Sequence, residues 1–315
     1  MRVHRTVMVG ALCACFGVPA AAWGQSVRWC DRLPRPEYGR LERVSVADDW
    51  FQVYKVADRV YAIYEPYQIQ EVISYLILGT QAALLFDTGM GMSRISAVVG
   101  ELTSLPVQVL NSHTHFDHIG GNAEFEHIVA LDTAFTRGNA RHYPAEVYRD
   151  EAQPDALCRG LPGGLTAATW HIRPFTPEKY ITDGYRIDLG GRELEVLHVP
   201  GHTPDAVALL DARARILWTG DNYYDGPIWL FFPETDLDEF QASIDRLAAL
   251  VPELDLLLTS HNTPIARPTR LLQLKEALMA VRSGKVSGKA SPAGQIEFSF
   301  DGFSILTSRA ALAPR

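Results

Sequence analysis

His113-Thr114-His115-Phe116-Asp117-His118-Ile119-Gly120-Gly121 decides how the rest of the chain is read. Three imidazoles and a carboxylate fall within six residues, a density that suits a metal site and not a packed apolar core. The stretch follows Val107-Gln108-Val109-Leu110, which reads as a buried strand, and it precedes Ile128-Val129-Ala130-Leu131, which resumes the sheet.

Working outward, four more apolar strands end in polar loops. Ala82–Phe86 ends in Asp87-Thr88-Gly89, and Arg192–Leu197 leads to Val199-Pro200-Gly201-His202. Arg215–Trp218 ends in Thr219-Gly220-Asp221, and Leu254–Leu258 in Thr259-Ser260-His261. Loops at strand ends are where a rigid scaffold builds a site. Asp87, the group from His113 to His118, His202, Asp221 and His261 are therefore the candidates.

In order and residue type these five segments resemble the metallo-β-lactamase-fold hydrolases, over roughly Tyr75 to His261. The resemblance implies an α+β fold, an αββα sandwich of two packed mixed sheets with helices outside. It puts His113, His115 and His202 on one metal, Asp117, His118 and His261 on a second, with Asp221 bridging and Asp87 orienting ligands from beneath. Imidazole and carboxylate donors without thiolate suit two zinc ions, and iron or manganese fits the same set. Two such cations about 4 Å apart lower the pKa of a shared water to near 7 and polarise a carbonyl, so Asp117 counts as catalytic as well as a ligand.

The full ligand set is closer to hydroxyacylglutathione hydrolases and metallo-lactonases than to β-lactamases. The expected reaction is hydrolysis of an ester-like acyl bond in a small molecule: a lactone, thioester or ester. The alternatives are a β-lactamase-like amide hydrolase, an iron-dependent sulfur dioxygenase and a non-catalytic binding module. Metallo-lactonases also resemble this chain in a Tyr three residues after the bridging Asp, here Tyr224, whose hydroxyl would assist the substrate carbonyl. Tyr223 could equally face the metals, and either ring could simply pack beside Trp229, Phe231 and Phe232.

Residues 1–24 read as an export signal, with Arg2 and Arg5 ahead of an apolar run and small residues at Ala22 and Gly24. The expected product is periplasmic or secreted, with no stable membrane association. The formal charge is -8, and losing Arg2 and Arg5 with the signal takes it to -10, a balance that opposes nucleic-acid phosphates. Cys30 and Cys158 then remain, able to form one bridge in an oxidising compartment or to stand as two free thiols.

Residues 25–50 read as an extended lead-in without legible chemistry, and 51–315 as one domain. Inside it, 132–182 is an insertion whose early part can be helical and whose prolines make much of the rest loop; its Tyr143, Tyr148, Trp170, His171, Phe175 and Tyr180 either form one wall of the substrate pocket or pin the loop to the surface. Ser93–Leu102, Leu237–Leu250 with Asp236 as cap, and Leu271–Arg282 read as helices. Gly190-Gly191 and Asp301-Gly302 mark hairpins.

Overall fold

The computed structural model describes residues 28–291 and 294–312. The expected export signal at 1–24 lies outside the described residues. Among the described residues no helix is long and apolar enough to cross a membrane.

The first sheet has eight strands in chain order: β1 (Glu42–Val44), β2 (Gln52–Ala57), β3 (Val60–Tyr64), β4 (Ile73–Leu78), β5 (Ala83–Phe86), β6 (Val107–Leu110), β7 (Ile128–Leu131) and β8 (Lys179–Ile181). Strands β1 to β5 pair antiparallel, and β5 to β8 pair parallel. The parallel crossovers carry helix α1 (Ile95–Leu102) and, after β7, α3 (Ala134–Arg141); the short α2 (Phe116–Ile119) carries Asp117 and His118 of the histidine motif.

The chain then builds a second sheet through β9 (Arg186–Asp188), β10 (Glu193–His198), β11 (Val207–Asp211) and β12 (Ile216–Trp218). It leaves for β13 (Gly226–Leu230) and returns as β14 (Leu256–Leu258) and β15 (Ile265–Ala266), giving the order β15-β14-β12-β11-β10-β9. Helices α5 (Leu237–Ala249) and α6 (Thr269–Arg282) cover its outer face. A small third sheet joins β13 to β18 (Phe303–Ser308), β17 (Gln295–Ser299) and β16 (Lys289–Ala290).

Strand alternation explains the layers. In β4 every side chain is buried, with Ile73, Tyr75 and Ile77 facing inward and Leu76 and Leu78 outward. A strand covered on both faces is apolar throughout. The inward set meets Val207, Leu209, Ile216 and Trp218 of the second sheet, so the two sheets share one core between them. Outward residues of the first sheet lie against α1 and the insertion, and those of the second against α5 and α6. This is the expected αββα sandwich.

The expected helices and both hairpins form, and Asp236 caps α5 by accepting from the amides of Asp238 and Glu239 at 2.8 and 3.1 Å. Two regions differ from the sequence reading. The lead-in is not simply extended: it makes two 3-10 turns, Trp29–Arg32 and Pro36–Arg40, before β1 pairs with β2. The insertion has α3 in its early part, as expected, but adds the short α4 (Ala145–Tyr148) and edge strand β8, which sequence pattern hides because Lys179 and Tyr180 are exposed and only Ile181 is buried.

Cys30 and Cys158 are joined in a disulfide that ties the lead-in to the insertion across 128 residues. Around it Arg28 donates to the Leu157 carbonyl at 3.2 Å and the Trp29 indole to the Asp155 carbonyl at 3.3 Å.

Candidate metal centre

Strand direction brings the polar loops together. Strands β10 and β12 are each antiparallel to β11, and β14 is parallel to β12, so all three point the same way and deliver His202, Asp221 and His261 to one edge. Strands β5 and β6, parallel to each other, deliver Asp87 and the histidine motif. The sheets are stitched at that edge: Ile73 N donates to Ser260 O at 2.8 Å, and Val207 N to Ser112 O at 2.7 Å.

Two glycines permit this crowding. A Cβ on Gly120 would stand 2.2 Å from the Met90 carbonyl carbon, and one on Gly201, at φ 129°, would stand 2.2 Å from the Phe240 amide nitrogen. The motif loop and the His202 loop can therefore lie directly on neighbouring backbone.

All seven sequence-predicted ligand candidates, His113, His115, Asp117, His118, His202, Asp221 and His261, are buried around one centre. Three groups have ligand atoms within 4.8 Å of one another: His113, His115 and His202; His113, His118 and Asp221; and Asp117, His118 and His261. His113 Nε2 lies 3.0 Å from His115 Nδ1, which lies 3.1 Å from His202 Nε2. On the other side His118 Nε2 is 3.5 Å from Asp117 Oδ2 and 3.4 Å from Asp221 Oδ1. His261 Nε2 is 3.2 Å from Asp221 Oδ1, and His202 Nε2 is 3.5 Å from Asp221 Oδ2, so the two Asp221 oxygens face the two halves of the cluster.

The outer nitrogens explain why the inner ones are free. His118 Nδ1 donates to Asp87 Oδ2 at 3.0 Å, and Asp87 Oδ1 accepts from the Ser112 amide at 2.6 Å. His202 Nδ1 donates to the Trp229 carbonyl at 2.9 Å, His261 Nδ1 to the Gln70 carbonyl at 2.7 Å, and His115 Nε2 to Glu234 at 2.9 Å. In a neutral ring, donating from one nitrogen leaves a lone pair on the other. The lone pairs of His115 Nδ1 and His202 Nε2 thus face each other at 3.1 Å, an arrangement that a cation stabilises. His118 Nε2 and Asp221 Oδ1 are fully buried and make no hydrogen bond, a cost that ligation removes. The donor set thus fits a metal ion.

Electrostatics agree. Burial holds His113 well below its ordinary value and, with His115 and His118 near, lowers His202 to about 4. Burial opposes charge on His118 too, but Asp117, Asp87 and Asp221 outweigh it and raise that ring to about 10. The centre holds an excess of carboxylate charge that seeks a cation.

A narrow cleft opens over the cluster. Its aromatic wall comes from Phe116, Tyr224, Trp229 and Phe232, not from the insertion. Tyr143, Tyr148, Trp170 and Phe175 are buried in the core outside the first sheet, where Tyr143 and Tyr148 each stand 6.1 Å from Phe116 and support it from behind. The pocket-wall expectation for these rings is therefore corrected: their faces are used up in packing.

Tyr224 and not Tyr223 faces the centre, its ring 4.9 Å from that of His261. Tyr223 turns away to Phe303, its hydroxyl donating to Asp225 at 2.7 Å. The Tyr224 hydroxyl donates to the Pro227 carbonyl at 2.6 Å and accepts from the Trp229 amide at 3.2 Å, so the backbone holds the proton that sequence reasoning assigns to a substrate carbonyl. Sequence reading gives no role to Glu234, Gln70, Arg35, Glu71 or Asn262. The one local signal was Glu234 after Phe231-Phe232-Pro233, a carboxylate beside an aromatic run at a helix entry.

Residues 71–261 match the family model described as the metallo-beta-lactamase superfamily. The acyl-coenzyme A thioesterase MBLAC2 of Gallus gallus is 29% identical over 56% of this chain, and the match spans 66% of that protein, just under two thirds of its length. The hydroxyacylglutathione hydrolase GloC of Haemophilus influenzae is 25% identical over 58% of this chain and 80% of its own. A metallo-beta-lactamase from Pontibacter korlensis shares the fold with a TM-score of 0.52 at 18% identity, over 73% of this chain and 99% of that one. The chain belongs to the metallo-beta-lactamase superfamily.

Proposed function

We propose that the chain is an exported metal-dependent hydrolase that cleaves a thioester. The observation that carries this reading is the set of buried imidazole and carboxylate atoms whose outer partners turn the inner nitrogens of His115, His118, His202 and His261 towards one centre. His113 Nε2, His115 Nδ1 and His202 Nε2 would hold one ion, and Asp117, His118 Nε2 and His261 Nε2 a second, with Asp221 between them. Zinc suits these donors. Bound there, the ions would bring a water to a pKa near 7 and polarise the carbonyl it attacks.

The chain's own residues supply the rest. Trp229 and Phe232 give the acyl part an apolar surface and exclude bulk water beside the ligands. A thiolate, whose conjugate acid has a pKa of about 8.5, leaves without being protonated, whereas an amide nitrogen does not. The cavity-lining hydroxyl of Tyr224 has its proton on Pro227, which favours the thioester over the amide. The names of the two curated relatives support the same bond class. The leader-like 1–24 and the Cys30–Cys158 disulfide support export to an oxidising compartment.

The test is metal analysis of the purified protein together with turnover on matched thioesters, oxygen esters, lactones and β-lactams. Two zinc ions per chain, thioesters cleaved fastest, and turnover lost in Asp117→Ala with reduced metal content are expected. Faster β-lactam cleavage, or one iron per chain with oxygen consumed in place of hydrolysis, would overturn the reading.

A further inference from the structure

The lead-in crosses close to the centre. Arg35 is half-buried, and its guanidinium donates through Nε to Glu71 Oε2 at 2.8 Å and through Nη2 to Glu71 Oε1 at 2.5 Å and to Asn262 Oδ1 at 2.8 Å. Glu71 and Asn262 flank the contact that aims a candidate ligand: Gln70 supplies the carbonyl that receives His261 Nδ1-H, and Asn262 follows His261 directly. The two loops touch again where Asn262 N donates to the Glu71 carbonyl at 3.1 Å.

Both partners of Arg35 have left-handed backbone. Glu71 has φ 46°, a conformation that a glutamate seldom adopts, and Asn262 φ 65°, which asparagine reaches more readily. Such residues persist where their surroundings over-determine them. A planar fork that makes two parallel bonds to one carboxylate and a third to the neighbouring amide does this, and a lysine ammonium cannot reproduce it. Tyr64 also donates to Glu71, but it does not reach Asn262, so among these groups Arg35 is the one that spans both loops.

We propose that Arg35 is a positioning residue for His261: by clamping Glu71 to Asn262 it fixes the Gln70 carbonyl against the ring and so sets the aim of Nε2 at the metal centre. The inference rests on the seven-ligand reading above. The segment is itself anchored five residues earlier by the disulfide at Cys30, so the clamp reaches the site from a stretch that belongs to neither sheet.

The experiment compares Arg35→Lys with the parent and with Tyr64→Phe, which keeps the bridge. Zinc titration of the metal-free proteins is expected to show one of two binding steps weakened about 10- to 100-fold in Arg35→Lys, the other within twofold, and both near parental in Tyr64→Phe. Hydrogen exchange of the metal-free proteins is expected to speed up in peptides covering 68–73 and 259–263 of Arg35→Lys and nowhere else. Equal weakening of both steps, or unchanged exchange in those peptides, overturns the clamp. A parent that binds fewer than two ions refutes the ligand reading instead, and the exchange comparison, which needs no metal, then decides the clamp alone.

Discussion

His118 gives its Nδ1 proton to Asp87 across 3.0 Å with both side chains fully buried, and the same carboxylate receives the Ser112 amide at the start of the histidine motif. Asp87 reaches this position because it directly follows β5 at φ 67°, turning the carboxylate beneath the ligands. It therefore sets both the tautomer of one imidazole and the path of the loop that carries two others, His113 and His115.

Asp87→Asn keeps the shape and an acceptor oxygen but removes the charge, and its amide can present a donor where His118 Nδ1-H needs an acceptor. Zinc affinity is expected to fall about 10- to 100-fold. Competition with a chelator of known strength measures it; an unchanged affinity would mean that Ser112, at 3.3 Å from His118 Nδ1, suffices to orient the ring.

Metal uptake should release protons. Without metal, the carboxylates around His118 overcome its burial and raise it to about 10, against an ordinary value of about 6.5, so the ring is protonated at neutral pH. Zinc loading at pH 7.5 then displaces at least one proton per chain, and affinity rises with pH towards 10. The sign for stability runs the other way in the metal-free protein. A raised folded-state pKa gives a contribution that is full below about 6.5 and lost as pH rises through 10. Calorimetric titrations in buffers of unlike ionisation enthalpy, with melting curves of the metal-free protein from pH 6 to 10, check both; zinc binding without proton release would contradict the first.

Tyr224→Phe is expected to lower turnover less than tenfold, because the hydroxyl is bound to Pro227 and Trp229 and the ring against His261 is kept. Losing a buried hydrogen bond costs about 1 kcal/mol, visible as a slightly lower melting temperature. A 100-fold or greater fall in kcat, with metal content and melting unchanged, would mean that the hydroxyl leaves Pro227 and donates to the substrate in the transition state.

Cys30→Ser should destabilise the protein strongly. The bridge closes a loop with its ends 128 residues apart, for which the chain-entropy account gives a stabilisation of roughly 5 kcal/mol and mutagenesis commonly 2 to 5. Denaturant melts of the variant and of the reduced parent should agree; a loss below about 1 kcal/mol would show that the contacts of Arg28 and Trp29 hold the strap unaided.

The parts of this molecule that could be read from sequence are those encoded locally. Apolar runs ending in His, Asp or Gly mark β5, β6, β10, β12 and β14, and the seven ligand candidates lie at their ends because strand direction puts those ends on one edge. The outer partners are different in kind. Glu234 reaches His115 over 119 residues, and the Gln70 carbonyl reaches His261 over 191. A backbone carbonyl carries no residue signature at all, and Arg35 looks like any solvated arginine until Glu71 and Asn262 are seen beside it. Strand β13 was hidden for a similar reason. Its Gly-Pro start and aromatic end suit a loop, and only the parallel pairing with β18, some 77 residues later, makes it part of a sheet.

The strap from Arg28 to Val44 also links distant parts of the chain. It is fastened at Leu157 and Asp155 at one end and reaches Asn262, next to a cavity-lining histidine, at Arg35. Between those points the disulfide at Cys30 fixes it to the insertion, so it is fastened to both halves of the sequence that it precedes. A short segment outside every sheet thus works as a brace, and a disturbance between Cys30 and Arg35 is passed to the loop of His261 as well as to the insertion.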